Sequence, residues 1–368
     1  MTVMDAEGHH SVAFPQRHWY PACQSSDLGR KPIAIELMET PVVLYRDRRG
    51  EPHALVDRCP HRNAPLSLGR VDHTGALQCG YHGWCFDGSG TCTNVPGLDA
   101  DPASPNRSVP SFAATEADGF VWIWGDPDSD PGGRPFALPS LAERGDSRKV
   151  GRTVFVCDVE STMHASIENA LDVPHTAFLH GGIFRGRKQP REITAIRREL
   201  PNGIEVQYVG EPLGFGPLTL SSDQTDKTFD HWDRFFLPSI AQIEYGVEGW
   251  IRIFNTILHL PLSPFRTRAW FVLDYSSPLP APVAGAIVRA RGPKIMRQDA
   301  DMLAAQTETI RRFGGERYTS TELDLLGRGI WRLLRQAERA ESTFGSGRAD
   351  EAPDDDAEPV ETTVTIRI

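Results

Sequence analysis

The chain lacks the long apolar runs that cross membranes and the basic excess that binds nucleic acids. No window of about 18 uninterrupted apolar residues occurs in its 368 residues. Its net charge is −10 at pH 7, which opposes binding to nucleic acid phosphates and to anionic membrane surfaces. Residues 1–14 contain no basic segment followed by an apolar run, so we expect no signal peptide. The sequence therefore predicts neither a nucleic acid nor a membrane as a partner.

Cysteine is also scarce. Six unevenly spaced cysteines argue against a disulfide scaffold and predict a protein of the reducing cytoplasm. Glycine and proline, by contrast, number 33 and 29, about 17% of the chain against a usual value of about 12%. This abundance favours a turn-rich β fold over a helical bundle. The length of 368 residues fits two domains of roughly 100–200 residues each.

Two short loops each combine a cysteine with a following histidine. The stretch CPHRNAPLSLGRVDHTGALQCGYHGW contains Cys59, His61, Cys79 and His82. A zinc site is one interpretation, although zinc ligands pair more often as Cys with Cys and His with His. The mixed pairs are typical of a Rieske 2Fe–2S cluster, in which two thiolates hold one iron and two imidazoles hold the other.

A second candidate centre lies in the stretch ENALDVPHTAFLH. We predict a helix that ends near His180 and carries Asn169, Asp172 and His175 along one face, because they are spaced three residues apart. His180 would lie roughly 140° from His175 on an ideal helix. Both reach one metal only if the helix is broken or bulged, which the nearby Pro174 favours. Histidines with structural or surface roles are the alternative.

A carboxylate from another part of the chain would complete this centre. The stretch GPKIMRQDADMLAAQTETI predicts a helix with a largely apolar stripe that includes Asp299. Asp301 points instead with Ala305 and Glu308, so it is the second choice, and a solvated role for both acids is the alternative. The predicted stripe consists of Ile295, Asp299, Met302, Leu303, Gln306 and Ile310.

Both stretches resemble motifs of the Rieske non-heme iron oxygenases of the ring-hydroxylating type. The second cluster loop of that family reads C-x-Y-H-G-W, and its iron motif reads Asn-x2-Asp-x2-His-x4-His. The resemblance implies a 2Fe–2S cluster, and a mononuclear Fe(II) held by His175, His180 and Asp299. Two imidazoles and one carboxylate leave positions on iron open for dioxygen, the co-substrate. Ala64 and Tyr81 stand where respiratory-chain Rieske proteins have a disulfide.

The resemblance also implies how the two centres communicate. Asn169 and Asp172 take catalytic roles, with Asp172 as the carboxylate partner of an iron-bound histidine. In the family this aspartate contacts the second cluster histidine, here His82, of a neighbouring subunit. An electron then passes from His82 through Asp172 to His175 between chains, and a cyclic homotrimer is expected.

The fold expected from the resemblance is α+β, with an all-β Rieske domain followed by a helix-on-antiparallel-sheet catalytic domain of helix-grip type. We place the Rieske domain at 15–127, a linker at 128–150 and the catalytic domain at 151–345. Residues 346–368 form an acidic tail that we expect to be disordered. The alternation in its last residues, ETTVTIRI, is also compatible with an edge strand.

The pattern predicts an apolar substrate pocket lined by strand residues. Four candidates are Phe215, Phe236, Ile253 and His259, and further apolar positions are Leu218, Phe235, Ile243 and Ile257. Core strands have the same composition, so a purely structural role is the alternative.

The predicted function is that of a terminal oxygenase in a multicomponent system. The chain contains no G-x-G-x-x-G with a following acid at nucleotide-binding spacing, so electrons from NAD(P)H must come through a separate reductase, with or without a ferredoxin. Its length resembles the compact members that monooxygenate, demethylate or desaturate. The alternatives are the α subunit of an aromatic-ring dihydroxylating dioxygenase and, from another class, a non-enzymatic Rieske electron carrier.

Overall fold

The computed structural model describes residues 9–141, 150–180, 192–211, 229–247, 250–344 and 361–367. These residues form two compact units. One consists of Phe14–Leu138 and Leu260–Pro264, and the other contains the remaining described residues. Phe215, Leu218 and the acidic stretch 345–360 lie outside the described residues.

The first unit consists of short antiparallel strands connected by turns. Its three sheets have the orders β1-β11-β10, β2-β3-β4-β9 and β5-β6-β7-β8. The strands are β1 (Trp19–Gln24), β2 (Ile33–Leu37), β3 (Thr40–Arg46), β4 (Pro52–Val56), β5 (Arg70–Val71), β6 (Leu77–Gln78), β7 (Cys85–Phe86), β8 (Cys92–Asn94), β9 (Ser111–Phe112), β10 (Ala114–Ala117) and β11 (Phe120–Trp124).

Turn chemistry and apolar runs explain this arrangement. Strand β11, with the sequence FVWIW, is buried at all five positions, as expected for a continuous apolar run in a core. Asp118 and Gly119 connect β10 to β11 with φ angles of +52° and +82°. A two-residue hairpin turn with positive φ at both positions favours the sequence Asp-Gly.

The second unit is an eight-stranded sheet with three helices. The strand order is β12-β18-β17-β16-β15-β14-β13-β19, and the registered pairs are antiparallel. The elements are β12 (Val150–Val159), α1 (Met163–Leu171), β13 (Glu192–Leu200), β14 (Gly203–Val209), β15 (Phe229–Phe236), β16 (Ile240–Val247), β17 (Ile251–Ser263), β18 (Arg266–Ser276), α2 (Ala281–Arg312), α3 (Gly327–Phe344) and β19 (Glu361–Arg367).

The helices pack on the sheet in the way that the predicted helix-on-sheet architecture requires. Helix α1 contacts β15, β16 and β18, helix α2 contacts β12, and helix α3 contacts α1 and β14. The predicted α+β fold class, an all-β domain followed by helices on an antiparallel sheet, is confirmed. None of the helices in the described parts of the chain is long and apolar enough to cross a membrane.

Two local predictions need correction. Helix α1 ends at Leu171 rather than near His180, and a separate 3₁₀ helix covers Pro174–Ala177. The backbone leaves the helical region at Asp172, with φ −88° and ψ +103°, and Pro174 lacks the amide hydrogen that would continue the bonding pattern of α1. The expected disorder of the acidic tail does not extend to Glu361–Arg367, because this segment pairs with β13 and buries Ile366 opposite Ile193.

A prediction concerns the start of helix α1. Thr162 is its N-cap, and the Thr162 Oγ1 atom accepts a hydrogen bond from the Ala165 amide at 3.1 Å. We expect Thr162→Ala to lower the free energy of unfolding by about 0.5–2 kcal/mol, since it leaves that amide without its partner. Chemical denaturation followed by circular dichroism measures the change. Thr162→Ser keeps the hydroxyl and is the matched control, so an equal loss in the serine variant would contradict the capping role.

Candidate metal centres and cavity

The two cysteine loops of the first unit share one backbone design. The Cys59 amide donates to the Ala64 carbonyl at 2.9 Å, and the Cys79 amide donates to the Trp84 carbonyl at 2.8 Å. In each loop the residue four positions after the cysteine donates back to the cysteine carbonyl and has a positive φ, +59° for Asn63 and +74° for Gly83. Two copies of one tight loop therefore present two thiols from separate segments.

The side chains of these loops meet. Cys59 and Cys79 are buried, and the ring centroids of His61 and His82 are 4.4 Å apart. The Trp84 indole stacks on the His61 ring at 4.8 Å with an interplanar angle of 5°, which fixes the orientation of that imidazole. All four predicted ligands thus come together, two thiols on the buried side and two imidazoles beside them.

This donor set fits a 2Fe–2S cluster of the Rieske type. Two thiolates and two imidazoles are the ligands that such a cluster requires, and the His61 Nδ1 atom is buried with no hydrogen-bond partner in the described part of the chain. Burial raises the pKa of the Cys59 thiol to about 11, with a contribution from the neighbouring Cys79. A bound cation is therefore needed to keep the Cys59 sulfur ionised at neutral pH.

The second unit brings two histidines and one aspartate together. The Nε2 atoms of His175 and His180 are 3.3 Å apart, and the Asp299 Oδ1 atom lies 3.6 Å from the first and 3.0 Å from the second. Ligands at right angles around a metal at about 2.1 Å lie about 3 Å apart. The three atoms therefore match one face of a metal coordination shell, the arrangement of a two-histidine, one-carboxylate iron site.

Three different elements supply this triad. His175 lies on the 3₁₀ helix Pro174–Ala177, and His180 follows it. The amides of Phe178 and Leu179 donate to the His175 carbonyl at 3.0 and 2.8 Å, which turns the chain so that the second imidazole meets the first. Asp299 comes from α2, more than a hundred residues later.

The other ring nitrogens of the two histidines face polar groups. The His180 Nδ1 atom lies 3.1 Å from the Gln298 Oε1 atom, and the His175 Nδ1 atom lies 3.4 Å from the Asp172 Oδ2 atom. The Gln298 oxygen keeps the proton of His180 on Nδ1 and leaves Nε2 free to bind a metal, whereas the His175 Nδ1 atom lies near the Asp172 carboxylate without a hydrogen bond among the described residues. Asp172 thus has the predicted position beside His175, whereas no sequence pattern indicated Gln298.

The environment of His180 also fits a cation. Burial opposes the imidazolium, but the Asp299 carboxylate and the Gln298 amide together raise the pKa of His180 above its ordinary value. The ring thus faces a preformed negative site. A metal ion at the triad would replace this proton, because metal-binding imidazoles are neutral.

Helix α2 distinguishes the two candidate aspartates. Asp299 lies between Ile295, which faces the cavity described below, and the buried Leu303. Asp301 is 75% exposed and its carboxylate is 3.9 Å from Arg297. The prediction that Met302 faces inward was wrong, because Met302 is 52% exposed. The inward positions of this helix follow a spacing of four residues.

A cavity of about 200 Å³ adjoins the triad. Its wall includes the sheet face that carries Ile243, Ile253 and Ile257, as well as Asn169 and Asp172 beside the triad. The described residues that line it are Phe155, Asn169, Ala170, Leu171, Asp172, Val173, His175, Thr176, His180, Glu211, Asp233, Ile243, Tyr245, Ile253, Asn255, Ile257, Phe271, Leu273, Gly292, Ile295, Met296 and Asp299.

Two predicted pocket residues are not at this cavity. The face of β15 that carries Asp233 is turned to the cavity, and alternation places Phe236 on the opposite face. His259 is buried beyond the cavity, with its Nδ1 atom 2.9 Å from the Ser239 carbonyl. Both assignments are corrected, whereas Ile253 does line the cavity.

Sequence reasoning missed the polar residues of the cavity wall. Glu211, Asp233 and Asn255 line the cavity together with the apolar strand residues. A signal was present in β15, where His231, Asp233 and Phe235 share one face by alternation. Charged groups on the same face as a core phenylalanine indicate either a buried network or a binding site.

Comparison with known families agrees with both centres. Residues 18–113 match the Rieske [2Fe-2S] domain, and residues 159–340 match the vanillate O-demethylase oxygenase C-terminal domain. Together the two matches cover most of the chain, one for each candidate centre.

Proteins similar in sequence to this chain include demethylase components. The chain is 38% identical over 215 residues to the oxygenase component of dicamba O-demethylase from Stenotrophomonas maltophilia, a match covering 57% of this chain and 59% of that protein. It is 30% identical over 245 residues to a vanillate O-demethylase oxygenase subunit from a Pseudomonas species, covering 64% and 66%. The matched segments thus span less than two thirds of either relative.

Solved structures show the same fold. A crystal structure of dicamba monooxygenase with non-heme iron and dicamba superimposes with a TM-score of 0.69 at 25% identity, covering 90% of this chain and 100% of that one. With a Rieske domain, a matching oxygenase C-terminal domain and the observed donor sets, the chain belongs to the Rieske non-heme iron oxygenase family.

Proposed function

We propose that this protein is the terminal oxygenase of a multicomponent Rieske system and that it monooxygenates an apolar organic substrate by hydroxylation, demethylation or desaturation. The observation that carries the proposal is the triad of His175, His180 and Asp299 at the wall of a largely apolar cavity. A site with this donor set binds Fe(II) and leaves positions open for dioxygen. The cavity gives an organic molecule access to that site.

The residues of the chain have distinct roles in this proposal. His175, His180 and Asp299 hold the iron, while Gln298 and Asp172 orient the two imidazoles. When bound, the iron supplies dioxygen activation and the cluster supplies single electrons. The apolar cavity residues orient the substrate and exclude bulk water from the reacting atoms.

The electrons come from outside the chain. We propose a ferredoxin, an NAD(P)H-dependent reductase or both as partners, since the relatives are named as the oxygenase component or subunit of a larger system. We place the protein in the cytoplasm, and its six unpaired cysteines support this compartment.

Two other functions are less well supported. An aromatic-ring dihydroxylating dioxygenase would use the same centres, but the two relatives described above are O-demethylase components. A non-enzymatic electron carrier has no need for a second metal site beside a cavity. Iron analysis separates carrier from oxygenase, because the carrier would hold two irons per chain and the oxygenase three. Mass spectrometry of products formed with a surrogate reductase and ferredoxin then tests the oxygenase directly.

We further propose a cyclic homotrimer in which His82 of one subunit faces Asp172 of its neighbour. His82 is exposed and Asp172 is 36% exposed, so both side chains are accessible to a partner. A head-to-tail interface forms a ring when its rotation closes on itself, and we propose closure at three subunits.

The first prediction separates the two centres. Cys59→Ser and His82→Ala should abolish the visible absorbance of the oxidised cluster, because each removes one of its four ligands. His175→Ala should keep that spectrum, reduce the iron content from three to two per chain and lower turnover below detection. Absorbance spectra and iron analysis measure both outcomes. A His175→Ala protein that loses its colour and retains mononuclear iron would refute the assignment.

The second prediction concerns the carboxylate ligand. Asp299→Ala should deplete mononuclear iron and activity, because two neutral imidazoles alone bind Fe(II) weakly. Asp301→Ala is the matched control on the same helix and should keep both within about twofold, since an exposed ion pair contributes little. Reversed phenotypes in iron analysis would contradict the choice of Asp299.

The third prediction concerns electron transfer between subunits. Co-expression of His82→Ala and His175→Ala chains should restore part of the activity, because a mixed ring pairs an intact cluster with an intact iron site across one interface. Asp172→Asn should keep both metals but slow reduction of the catalytic iron by about 10–100-fold, the usual effect of losing such a partner. Native mass spectrometry identifies the mixed rings. Mixed trimers without activity would exclude the intersubunit route.

A further inference from the structure

The two imidazoles that would hold the cluster have different aromatic neighbours. The Trp84 indole lies on the His61 ring, with ring centroids 4.8 Å apart and an interplanar angle of 5°. The Tyr81 ring lies 3.8 Å from the His82 ring but is tilted by 41°, and Tyr81 is 66% exposed. Of these two pairs, the Trp84–His61 pair is the parallel stack.

The stacked indole belongs to the packing around the cluster ligands. A ring parallel to the His61 plane at this distance covers one face of the imidazole and keeps water from it. The His82 ring meets His61 from a different direction, at 4.4 Å and an interplanar angle of 69°. Trp84 also packs against the buried apolar cluster that contains Cys59 and Cys79. The indole is thus part of the wall that surrounds the four ligands.

The backbone of the second cysteine loop holds Trp84 in this position. The Trp84 carbonyl accepts a hydrogen bond from the Cys79 amide at 2.8 Å. The preceding residue, Gly83, has a φ angle of +74°, and a Cβ atom there would lie 3.1 Å from the Pro96 Cγ atom. Trp84 therefore comes from the loop of Cys79 but stacks on a histidine of the other loop, so each loop contributes to the surroundings of His61.

An indole face favours a positively charged neighbour. Its π system carries negative charge density on the face and attracts a cation within about 6 Å of the ring centroid. An imidazole bound to ferric iron has positive character, which decreases when the cluster gains one electron. The stacked indole therefore stabilises the oxidised cluster more than the reduced one. Excluding water from His61 acts in the same direction, because water would stabilise the added negative charge.

We propose that Trp84 is a positioning residue that lowers the reduction potential of the cluster through its stack on His61. Imidazole ligands raise the potential of a Rieske cluster above that of an all-cysteine cluster, and the indole opposes part of this rise. A lower potential strengthens the driving force for electron transfer to the mononuclear iron. The inference rests on the proposed function, in which the cluster takes single electrons from an external ferredoxin or reductase and passes them on.

A redox titration of the metal-loaded full-length protein, followed by visible absorbance at neutral pH, tests the inference. Trp84→Leu keeps an apolar side chain but removes the π face. It should increase the equilibrium constant for one-electron reduction about two- to fivefold, the factor expected for one cation–π contact. This factor corresponds to a midpoint potential about 20–40 mV higher, at about 59 mV per tenfold change.

Two further variants separate the π face from packing and from general effects of the substitution. Trp84→Phe keeps an aromatic ring that attracts positive charge less strongly than an indole does, so its midpoint potential should lie between those of the unmodified protein and Trp84→Leu. Trp19→Leu is the matched control in the same unit, because the Trp19 indole packs on Trp124 at 5.7 Å. It should leave the midpoint potential unchanged.

Fluorinated tryptophan tests the electrostatic cause at nearly constant shape. Fluorine withdraws charge density from the ring face, which weakens its attraction for positive charge. Protein in which 5-fluorotryptophan replaces all eight tryptophans should therefore have a higher midpoint potential than unlabelled protein. Labelling of the Trp84→Phe variant is the control and should not change its potential. This experiment does not depend on assembly of the cluster in Trp84→Leu.

The outcomes separate this inference from the proposed function. An intact cluster spectrum with an unchanged or lower potential in Trp84→Phe and Trp84→Leu would overturn the inference. Equal potentials in these two variants, or no change on fluorination, would overturn it as well. Product formation together with any of these results would leave the oxygenase function intact. The expected order of potentials, in a protein with two irons per chain and no product, would support the role of Trp84 and overturn the oxygenase function instead.

Discussion

Two imidazoles and a carboxylate converge in this protein because helix α1 stops at Leu171. On a continuous helix, His175 and His180 would point roughly 140° apart. Proline at position 174 lacks an amide hydrogen and starts a tighter 3₁₀ turn. The turn rotates the following residues until the two Nε2 atoms are 3.3 Å apart. The meeting of the two imidazoles depends on this break.

Helix α2 completes the site with two adjacent residues. Gln298 approaches one nitrogen of His180 and Asp299 approaches the other. The imidazole is therefore held between neighbouring positions of a single helix, which fixes both its ring plane and its tautomer. A small shift of α2 would move both partners together, so the packing of this helix controls the geometry of the metal site.

The sheet separates charges by face. Arg234 and Arg252 form ion pairs with acids of neighbouring strands, and alternation directs Asp233 to the cavity instead. The protein thus keeps its strand arginines away from the cavity and places carboxylates in its wall. Among the described residues, the cavity wall therefore has four carboxylates and no lysine or arginine.

The sequence alone determined the features that depend on residues close together in the chain. The loops of Cys59 and Cys79 are local motifs, and a tight turn with positive φ at Asn63 or Gly83 forms from nearby residues. The strand-like segments, and the need for a break before His180, also followed from local patterns and from Pro174, whereas the antiparallel sheet was implied by the family resemblance. Only the tertiary structure decided which distant groups meet. Asp299 and Asp233 reach the same cavity because α2 and the sheet pack around it, and Gln298 reaches His180 from the same helix. Such contacts depend on long-range packing that no sequence period encodes. For the same reason Phe236 and His259, which have the composition of pocket residues, lie elsewhere. Strand alternation turns Phe236 away from the cavity, and His259 lies beyond the end of the cavity. Apolar character alone cannot distinguish a pocket from a core.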